Sequence, residues 1–285
     1  MLKNKYTSED VELSCEVFPP KRDDDMYEIF RTLDELEGLS PDFISVTYGA
    51  GGSNSKKTAK LSAYIQNVCD VEAIAHLTAV GMTRASLNGH LEELRKKGVT
   101  RILALRGDKP KLMSDEEFEK REYRYAADLI RDICDFGGFR IAAACYPEKH
   151  PESPDVESDI HFLKEKCELG VDELITQMFF DNEKYYRFRD RLLGAGVDIP
   201  VHVGIMPITK VNQLGTSVSL SGSSVPTSLS NLIAKYAEDP EGMRKAGIEF
   251  AVRQIEDLLK NGVNGIHIYS MNKADVTKEI VEAIR

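Results

Sequence analysis

Eight short, mostly apolar and often β-branched segments recur along the whole chain, each separated from the next by a charged stretch of helical periodicity. They read VELSCEVFP from Val11, FISVTYG from Phe43, VEAIAHLT from Val71 and RILALRG from Arg101. FRIAAACYP from Phe139, ELITQMFF from Glu173, VHVGIMP from Val201 and GIHIYSMN from Gly265 complete the set. Strands alternating with helices predict a parallel sheet with right-handed crossovers. The helical pattern is plain between Asp23 and Leu36, where Met26, Ile29, Phe30 and Leu33 share one face. Gly98, Gly170 and Gly262 supply stop signals, and Asp239-Pro240 reads as an N-cap followed by proline at the first helical position. A (β/α)8 barrel takes about 250 residues, so eight such units in 285 residues predict an α/β chain folded as one (β/α)8 (TIM) barrel over residues 1–285. An open doubly wound sheet is the competing arrangement, and eight regular units with no evident second domain disfavour it.

Composition narrows the partners. A net charge of −10 provides no basic field for nucleic acid or an anionic membrane, while 42% hydrophobic and 29% charged residues are ordinary for a globular chain. The opening MLKNKYTSED carries no signal peptide, and no apolar run approaches the roughly 20 residues of a spanning helix. Cys15, Cys69, Cys134, Cys145 and Cys167 are odd in number and form no CxxC pair, which predicts a reducing, cytoplasmic setting.

In barrels of this kind the C-terminal strand ends carry the site. Here they present Glu16, Thr47, His76, Arg106 with Asp108, Tyr146, Gln177, Met206-Pro207 and Asn272-Lys273. Each has an ordinary structural explanation: His76 bonded to a backbone group, Arg106 and Asp108 as an ion pair, Thr47 capping a turn. Polar groups at the same end of so many strands are costly to bury without purpose, and together they predict an active-site face. None of the eight segments contains lysine, which argues against a strand-borne Schiff base. The six histidines show neither HxH nor HExxH spacing, so no metal site is predicted. The loops after the seventh and eighth strands lack the glycines of the usual barrel phosphate site. GAGGS, Gly49 to Ser53, offers backbone N–H groups to a phosphate or ribose, with a plain tight turn as the alternative. There is no GxGxxG. The Ser- and Thr-rich stretch from Thr209 to Asn231 reads as a functional loop or lid, or equally as a mobile surface insertion. These residues specify a barrel enzyme and name no cofactor.

The same residues carry a resemblance. CEVFPP (Cys15 to Pro20), VTYGAGGS (Val46 to Ser53), AHLT (Ala75 to Thr78), ALRGD (Ala104 to Asp108), YPEKHPES (Tyr146 to Ser153), ITQMFFD (Ile175 to Asp181), GIMPI (Gly204 to Ile208) and HIYSMNKA (His267 to Ala274) occur in that order. Over essentially its whole length the chain resembles the catalytic domain of methylenetetrahydrofolate reductases. That resemblance implies FAD bound outside the Rossmann mode, reduced by NADH or NADPH. It also implies hydride transfer from the reduced flavin to 5,10-methylenetetrahydrofolate, giving 5-methyltetrahydrofolate.

On this resemblance Glu16 matches the general acid that protonates N10 of the folate, and Asp108 the acidic residue between flavin and pterin. Gln177 and Gln213 match folate-contacting amides. The flavin positions are Thr47, Tyr48, Ala50, His76, Arg106, Gly107, Asp108, Ala126, Tyr146, His150, Asp159 and Lys166. Thr47 and His76 fall to the isoalloxazine, and Arg106, His150 and Lys166 to the ribityl and diphosphate portion. The chain departs from the family where Phe162 and Glu165 replace an Asn and an Arg, and where Lys273 replaces an Arg used for the folate glutamate tail. Ser217 falls near an aromatic position, and Val171 where Ala is common. The expected partners are the folate substrate and either a second copy of the chain or a redox subunit. Two alternatives are a folate reductase fed by a partner redox protein and a non-catalytic flavin-binding scaffold. The end at Arg285 leads to the expectation that the regulatory domain of eukaryotic relatives is absent.

Overall fold

The computed structural model describes residues 2–7, 10–48, 55–110 and 112–285, with the side chain of Ser55 outside the description. The eight segments form β2 (Asp10–Val17), β3 (Phe43–Val46), β4 (Glu72–Thr78), β5 (Arg101–Leu105), β6 (Arg140–Cys145), β7 (Glu173–Thr176), β8 (Val201–Ile205) and β9 (Gly265–Tyr269). Strands pair in sequence order and β2 also pairs with β9, which makes the sheet a closed (β/α)8 barrel. The β3–β4, β4–β5, β5–β6 and β8–β9 pairs are parallel, as the crossover helices require. A further two-residue strand, β1 (Leu2–Lys3), pairs antiparallel with β2. It is too short to leave a sequence pattern.

Most strands end before their apolar run does. β3 stops at Val46, β5 at Leu105 and β7 at Thr176, so Thr47, Arg106 and Gln177 lie just beyond the sheet. The helices follow their sequence signals. A 3-10 turn at Asp23–Asp25 precedes α1 (Met26–Glu37), which buries Ile29, Leu33 and Leu36. α2 (Ser55–Asn67), α3 (Arg84–Lys96), α4 (Asp115–Glu119), α5 (Ala126–Phe136), α6 (Val156–Glu168) and α7 (Asn182–Gly194) follow. α10 (Pro240–Lys260) begins as expected, with the Asp239 carboxylate accepting the Gly242 N–H at 2.9 Å, and α11 (Ala274–Ile284) closes the chain.

The Ser-rich stretch is the main departure. It folds as two helices, α8 (Gln213–Ser221) and α9 (Thr227–Lys235), rather than as a loop. Leu214, Val218, Val225, Leu232 and Ile233 pack against Met178, Phe180, Met206, Ile208, Leu229 and Met243. Burial of these spaced apolar side chains outweighs the weak helix propensity of the intervening serines.

The chain comprises two compact units. Unit 1 is Met1–Ser14, Cys145–Lys164 and Ile175–Arg285; unit 2 is Cys15–Ala144 and Glu165–Leu174. Unit 2 is anchored at the N-terminal strand ends by Arg101, which is 3% exposed. Its guanidinium forks onto Glu173, with Nε at 2.6 Å from Oε1 and Nη2 on Oε2, and Nη1 lies 2.6 Å from Glu72. The Phe43 ring lies 4.3 Å beneath it. At this end of a barrel such a network serves stability. In unit 1, Gly204 on β8 is required by crowding: an added Cβ would lie 2.6 Å from the Tyr269 ring, whose hydroxyl donates to the Thr176 carbonyl at 2.7 Å. No described helix is long and apolar enough to cross a membrane.

Candidate active site

In unit 2, β2 and β4 bring two predicted residues together. Glu16 Oε2 lies 3.5 Å from His76 Nε2, with the carboxylate side chain 20% exposed and the imidazole 5%. Burial pushes the Glu16 carboxyl above the ordinary carboxylate range, and the His76 charge works against that rise. The pair combines a reluctant carboxylate with an imidazole, which suits proton donation.

Thr47 follows β3, its N–H donating to Val17 O at 3.0 Å and its carbonyl accepting from Thr58 Oγ1 at 2.9 Å. The Tyr48 ring meets His90 edge-on at 6.4 Å between centroids. Ala50 and the whole GAGGS turn lie outside the described residues. After β5, the Arg106 carbonyl accepts the Val80 N–H at 2.9 Å, and its Nε donates to Gly107 O at 3.3 Å. Gly107 sits at φ +80°, and a Cβ there would lie 2.9 Å from Cβ of Thr78. Both the left-handed backbone and the close approach demand glycine. Beyond it Asp108 is exposed. Ala126 opens α5, whose Asp128 carboxylate accepts the Tyr125 N–H at 2.9 Å. Lys166 Nζ donates to the Ala144 carbonyl at 2.9 Å.

In unit 1, Tyr146, His150 and Asp159 form one cluster. The Tyr146 and His150 rings meet edge-on with centroids 4.7 Å apart. Asp159 accepts the His150 N–H at 3.1 Å and the Ser153 hydroxyl at 2.6 Å, so it fixes the loop that presents His150. Lys149 holds that loop at φ +118°, an uncommon conformation for a side-chain-bearing residue. Glu148, which the sequence reading passed over, accepts the Ser224 N–H at 2.9 Å and so ties this loop to the α8–α9 connection.

The two amides differ in engagement. Gln177 turns its Oε1 onto the Met178 N–H at 2.9 Å. Gln213 spans the turn after β8: Oε1 accepts from Thr209 N at 3.0 Å and Nε2 donates to Pro207 O at 2.8 Å. Ser217 is buried on the same helix. Phe162 is 49% exposed on α6, so its side chain is free of the core. Val171 is buried, and nothing in the structure explains its choice over Ala.

Lys273 follows the tight turn after β9, in which Met271 and Asn272 adopt φ +53° and +55°. Two successive non-glycine residues in that region are strained. Ser270 offsets part of the cost, its hydroxyl accepting the Asn272 N–H at 3.1 Å and its carbonyl the Lys273 N–H at 2.9 Å. Partial burial, with Lys210 nearby, pulls the Lys273 ammonium below the ordinary lysine range. Both lysines line a cavity of ≈ 650 Å³ together with Arg244. Lys210 and Arg244 escaped the sequence reading because neither sits at a strand end. Among the described residues no group of His, Cys, Asp and Glu is arranged to hold a metal ion.

Comparison with known proteins identifies the family. The family profile of methylenetetrahydrofolate reductase matches residues 1–285. The 5,10-methylenetetrahydrofolate reductase of Pectobacterium carotovorum is 33% identical over 274 residues, which cover 96% of this chain and 90% of that protein. The enzyme of the same name from Salmonella typhimurium is 32% identical with the same coverage. Methylenetetrahydrofolate reductase 1 of Schizosaccharomyces pombe is 33% identical over 97% of this chain but only 46% of its own length. Among solved structures, a Clostridium thermocellum protein that binds two copies of 5-methyl-5,6,7,8-tetrahydrofolic acid superposes with a TM-score of 0.60 at 14% identity. That match covers 96% of this chain and 94% of the other, and it speaks to the fold alone. With the profile spanning every residue and relatives matched nearly end to end, the chain belongs to the methylenetetrahydrofolate reductase family of oxidoreductases.

Proposed function

We propose that residues 1–285 act as one catalytic domain that reduces 5,10-methylenetetrahydrofolate to 5-methyltetrahydrofolate with electrons from NADH or NADPH. FAD is the carrier, and oxidation of the nicotinamide and reduction of the folate are separate half-reactions. The observation that carries this reading is Glu16, a carboxyl raised by burial at the C-terminal half of β2 and facing His76. Opening the five-membered folate ring expels an amine nitrogen, which leaves poorly as an anion and needs a proton. Glu16 supplies that proton to N10, and His76 limits how far its acidity is suppressed.

The donor set of unit 2 suits a flavin. Thr47 offers a half-buried hydroxyl just beyond the C-terminal end of β3, and Arg106 and Lys166 offer half-buried cations suited to a diphosphate. In unit 1, taken by itself, Asp159 holds the loop that presents His150, whose ring meets Tyr146 edge-on, an aromatic edge and an imidazole that also suit a flavin. When bound, FAD would supply the hydride-transfer chemistry that no side chain can. Asp108, exposed beyond Gly107, favours the cationic form of the opened folate electrostatically. Gln177 and Gln213 contact the pterin through their paired donors and acceptors, and Lys273 meets the tail carboxylates. The free thiols of Cys15, Cys69, Cys134, Cys145 and Cys167 fit work in the cytoplasm.

The test is anaerobic. FAD-loaded protein is reduced chemically and mixed with methylenetetrahydrofolate while flavin absorbance is followed. Rapid reoxidation with formation of 5-methyltetrahydrofolate supports the assignment; a flavin that stays reduced overturns it. Mixing the oxidised protein with NADH then separates direct nicotinamide use from delivery by a partner redox protein.

A further inference from the structure

We infer that Glu148 is a positioning residue. It fastens the loop that presents His150 to the α8–α9 connection, and through Ser223 to the Gln177 end of β7. Cofactor retention and folate recognition then share one joint. The inference rests on the flavin and folate reading above, and every residue in it belongs to unit 1.

The loop after β6 needs support. Lys149 sits in it at φ +118°, a conformation that persists only where the surroundings over-determine it. Part of the support is local: Asp159 accepts the His150 N–H at 3.1 Å, and the Lys149 ammonium donates to the Ser153 carbonyl. The Glu152 N–H also donates to His150 Nδ1 at 3.1 Å, which leaves the ring proton of neutral His150 on Nε2. His150 therefore presents a donor, suited to a phosphate oxygen, only while the loop keeps this shape.

The remaining support comes from the α8–α9 connection. The Glu148 side chain is 16% exposed, and both of its oxygens are committed within unit 1. Oε1 accepts the Ser224 N–H at 2.9 Å, and Oε2 lies 3.9 Å from the Lys184 ammonium on α7. A carboxylate so engaged does not serve as a cofactor contact, and its charge would oppose a diphosphate. Gly222 ends α8 at φ +70°, where an added Cβ would lie 3.0 Å from Pro151 Cγ. Between them, the buried Ser223 hydroxyl donates to the Met178 carbonyl at 2.6 Å. The N–H of the same Met178 holds Gln177 Oε1 at 2.9 Å. Gly222, Ser223 and Ser224 thus engage Pro151, Met178 and Glu148 in turn. The Glu148 bond is charge-assisted, roughly twice as strong as a neutral one, so its removal should loosen the whole joint.

The test compares Glu148→Ala with Glu148→Gln in the FAD-loaded protein by hydrogen exchange and mass spectrometry. Glutamine keeps the length and the acceptor for Ser224 but not the charge. In Glu148→Ala, exchange over residues 146–153, 176–180 and 221–225 should quicken about tenfold, the low end for loss of a hydrogen bond to a charged group. FAD release on dilution and KM for methylenetetrahydrofolate should rise by a similar factor, with kcat within roughly twofold of the parent. In Glu148→Gln each change should shrink to about threefold, as a neutral bond replaces a charged one. Faster exchange confined to residues 146–153 overturns the joint, as does a glutamine variant no better than alanine. His150→Ala separates this from the flavin reading. If it sheds FAD and Glu148→Ala does not, the positioning role is overturned. If neither sheds FAD, the flavin role of His150 is what fails, and the exchange pattern still decides the joint.

Discussion

Glu16 and His76 face each other across 3.5 Å from strands separated in the sheet by β3. Burial raises the carboxyl and the imidazole opposes it, so the acidity of Glu16 is a balance that either residue can tip. Glu16→Gln is expected to slow reoxidation of reduced flavin by methylenetetrahydrofolate by about 10²- to 10⁴-fold, the usual worth of a general acid. Reduction of the flavin by NADH should be nearly unchanged. In His76→Gln the lowering influence disappears, and the alkaline limb of the folate half-reaction should move to higher pH. Stopped-flow pH profiles of both half-reactions check this. Stability gives an independent reading. A carboxyl raised in the folded state holds its proton more tightly there than in the unfolded chain. Its contribution is therefore present below the ordinary carboxylate range and is lost as pH rises through the folded value. Glu16→Gln should accordingly gain stability over the parent on the alkaline side of that value and match it in acid.

Arg101 carries the opposite end of the barrel. It is nearly inaccessible, and so is its partner Glu173 at 1% exposure. Arg101→Met would leave the Glu173 carboxylate buried without its cation, which costs about 3–5 kcal/mol and lowers Tm by on the order of 10 °C. The flavin spectrum of the folded fraction should be unaltered. Lys5→Ala removes a half-exposed surface pair with Glu256 and should cost no more than ~1 kcal/mol. Thermal melts of the two variants decide whether the buried network anchors the fold.

The barrel was legible because its strands bury both faces over short apolar runs. Ile44, Ala75 and Ile102 are all inaccessible, and such runs stand out from helices that bury one stripe. The candidate site could be proposed for a related reason: Thr47, Arg106 and Gln177 directly follow the apolar strands β3, β5 and β7. Residues placed by tertiary packing left no such trace. Arg244 lies within a long helix, and Lys210 sits in the turn after β8; only the fold brings them to one wall. The α8–α9 pair was misread as a loop because its serines dominate the composition. Leu214, Val218 and Leu229, spaced to meet Met206 and Met243, determine its structure. The Arg101 network was invisible because its carboxylates come from β4 and β7, far away in sequence.

Gln213 tests whether that helical pair shapes the folate site. Its amide is polarised by use, accepting from Thr209 and donating to Pro207. Gln213→Glu keeps the acceptor for Thr209 but sets a second lone pair against the Pro207 carbonyl, which should open the turn. KM for methylenetetrahydrofolate is expected to rise about tenfold, equivalent to ~1.4 kcal/mol. The rate of flavin reduction by NADH should stay within roughly twofold, because a contact made equally in ground and transition states alters KM alone. A fall in both half-reactions together would point to general disorder and reject a specific role for this amide.

The turn after β5 can be tested by comparing two glycines with the same backbone angle. Gly107 and Gly138 both sit at φ +80°, but an added Cβ at Gly138 meets nothing within 4 Å, whereas at Gly107 it lies 2.9 Å from Thr78. Alanine at Gly138 therefore reports conformational strain alone, about 1 kcal/mol or somewhat more. Alanine at Gly107 adds overpacking against Thr78, for a further 1–3 kcal/mol or so. The consequences should differ in kind as well as size. Gly138 precedes the N-terminal end of β6, whereas the predicted Tyr146 follows its C-terminal end, so Gly138→Ala should melt earlier with unaltered FAD retention. Gly107 separates Arg106 from Asp108, and relief of the clash must move one of them. Gly107→Ala should therefore release FAD on dilution more readily than its loss of Tm alone explains. Equal FAD retention by the two variants at matched stability would show that the Arg106–Asp108 turn does not hold the cofactor.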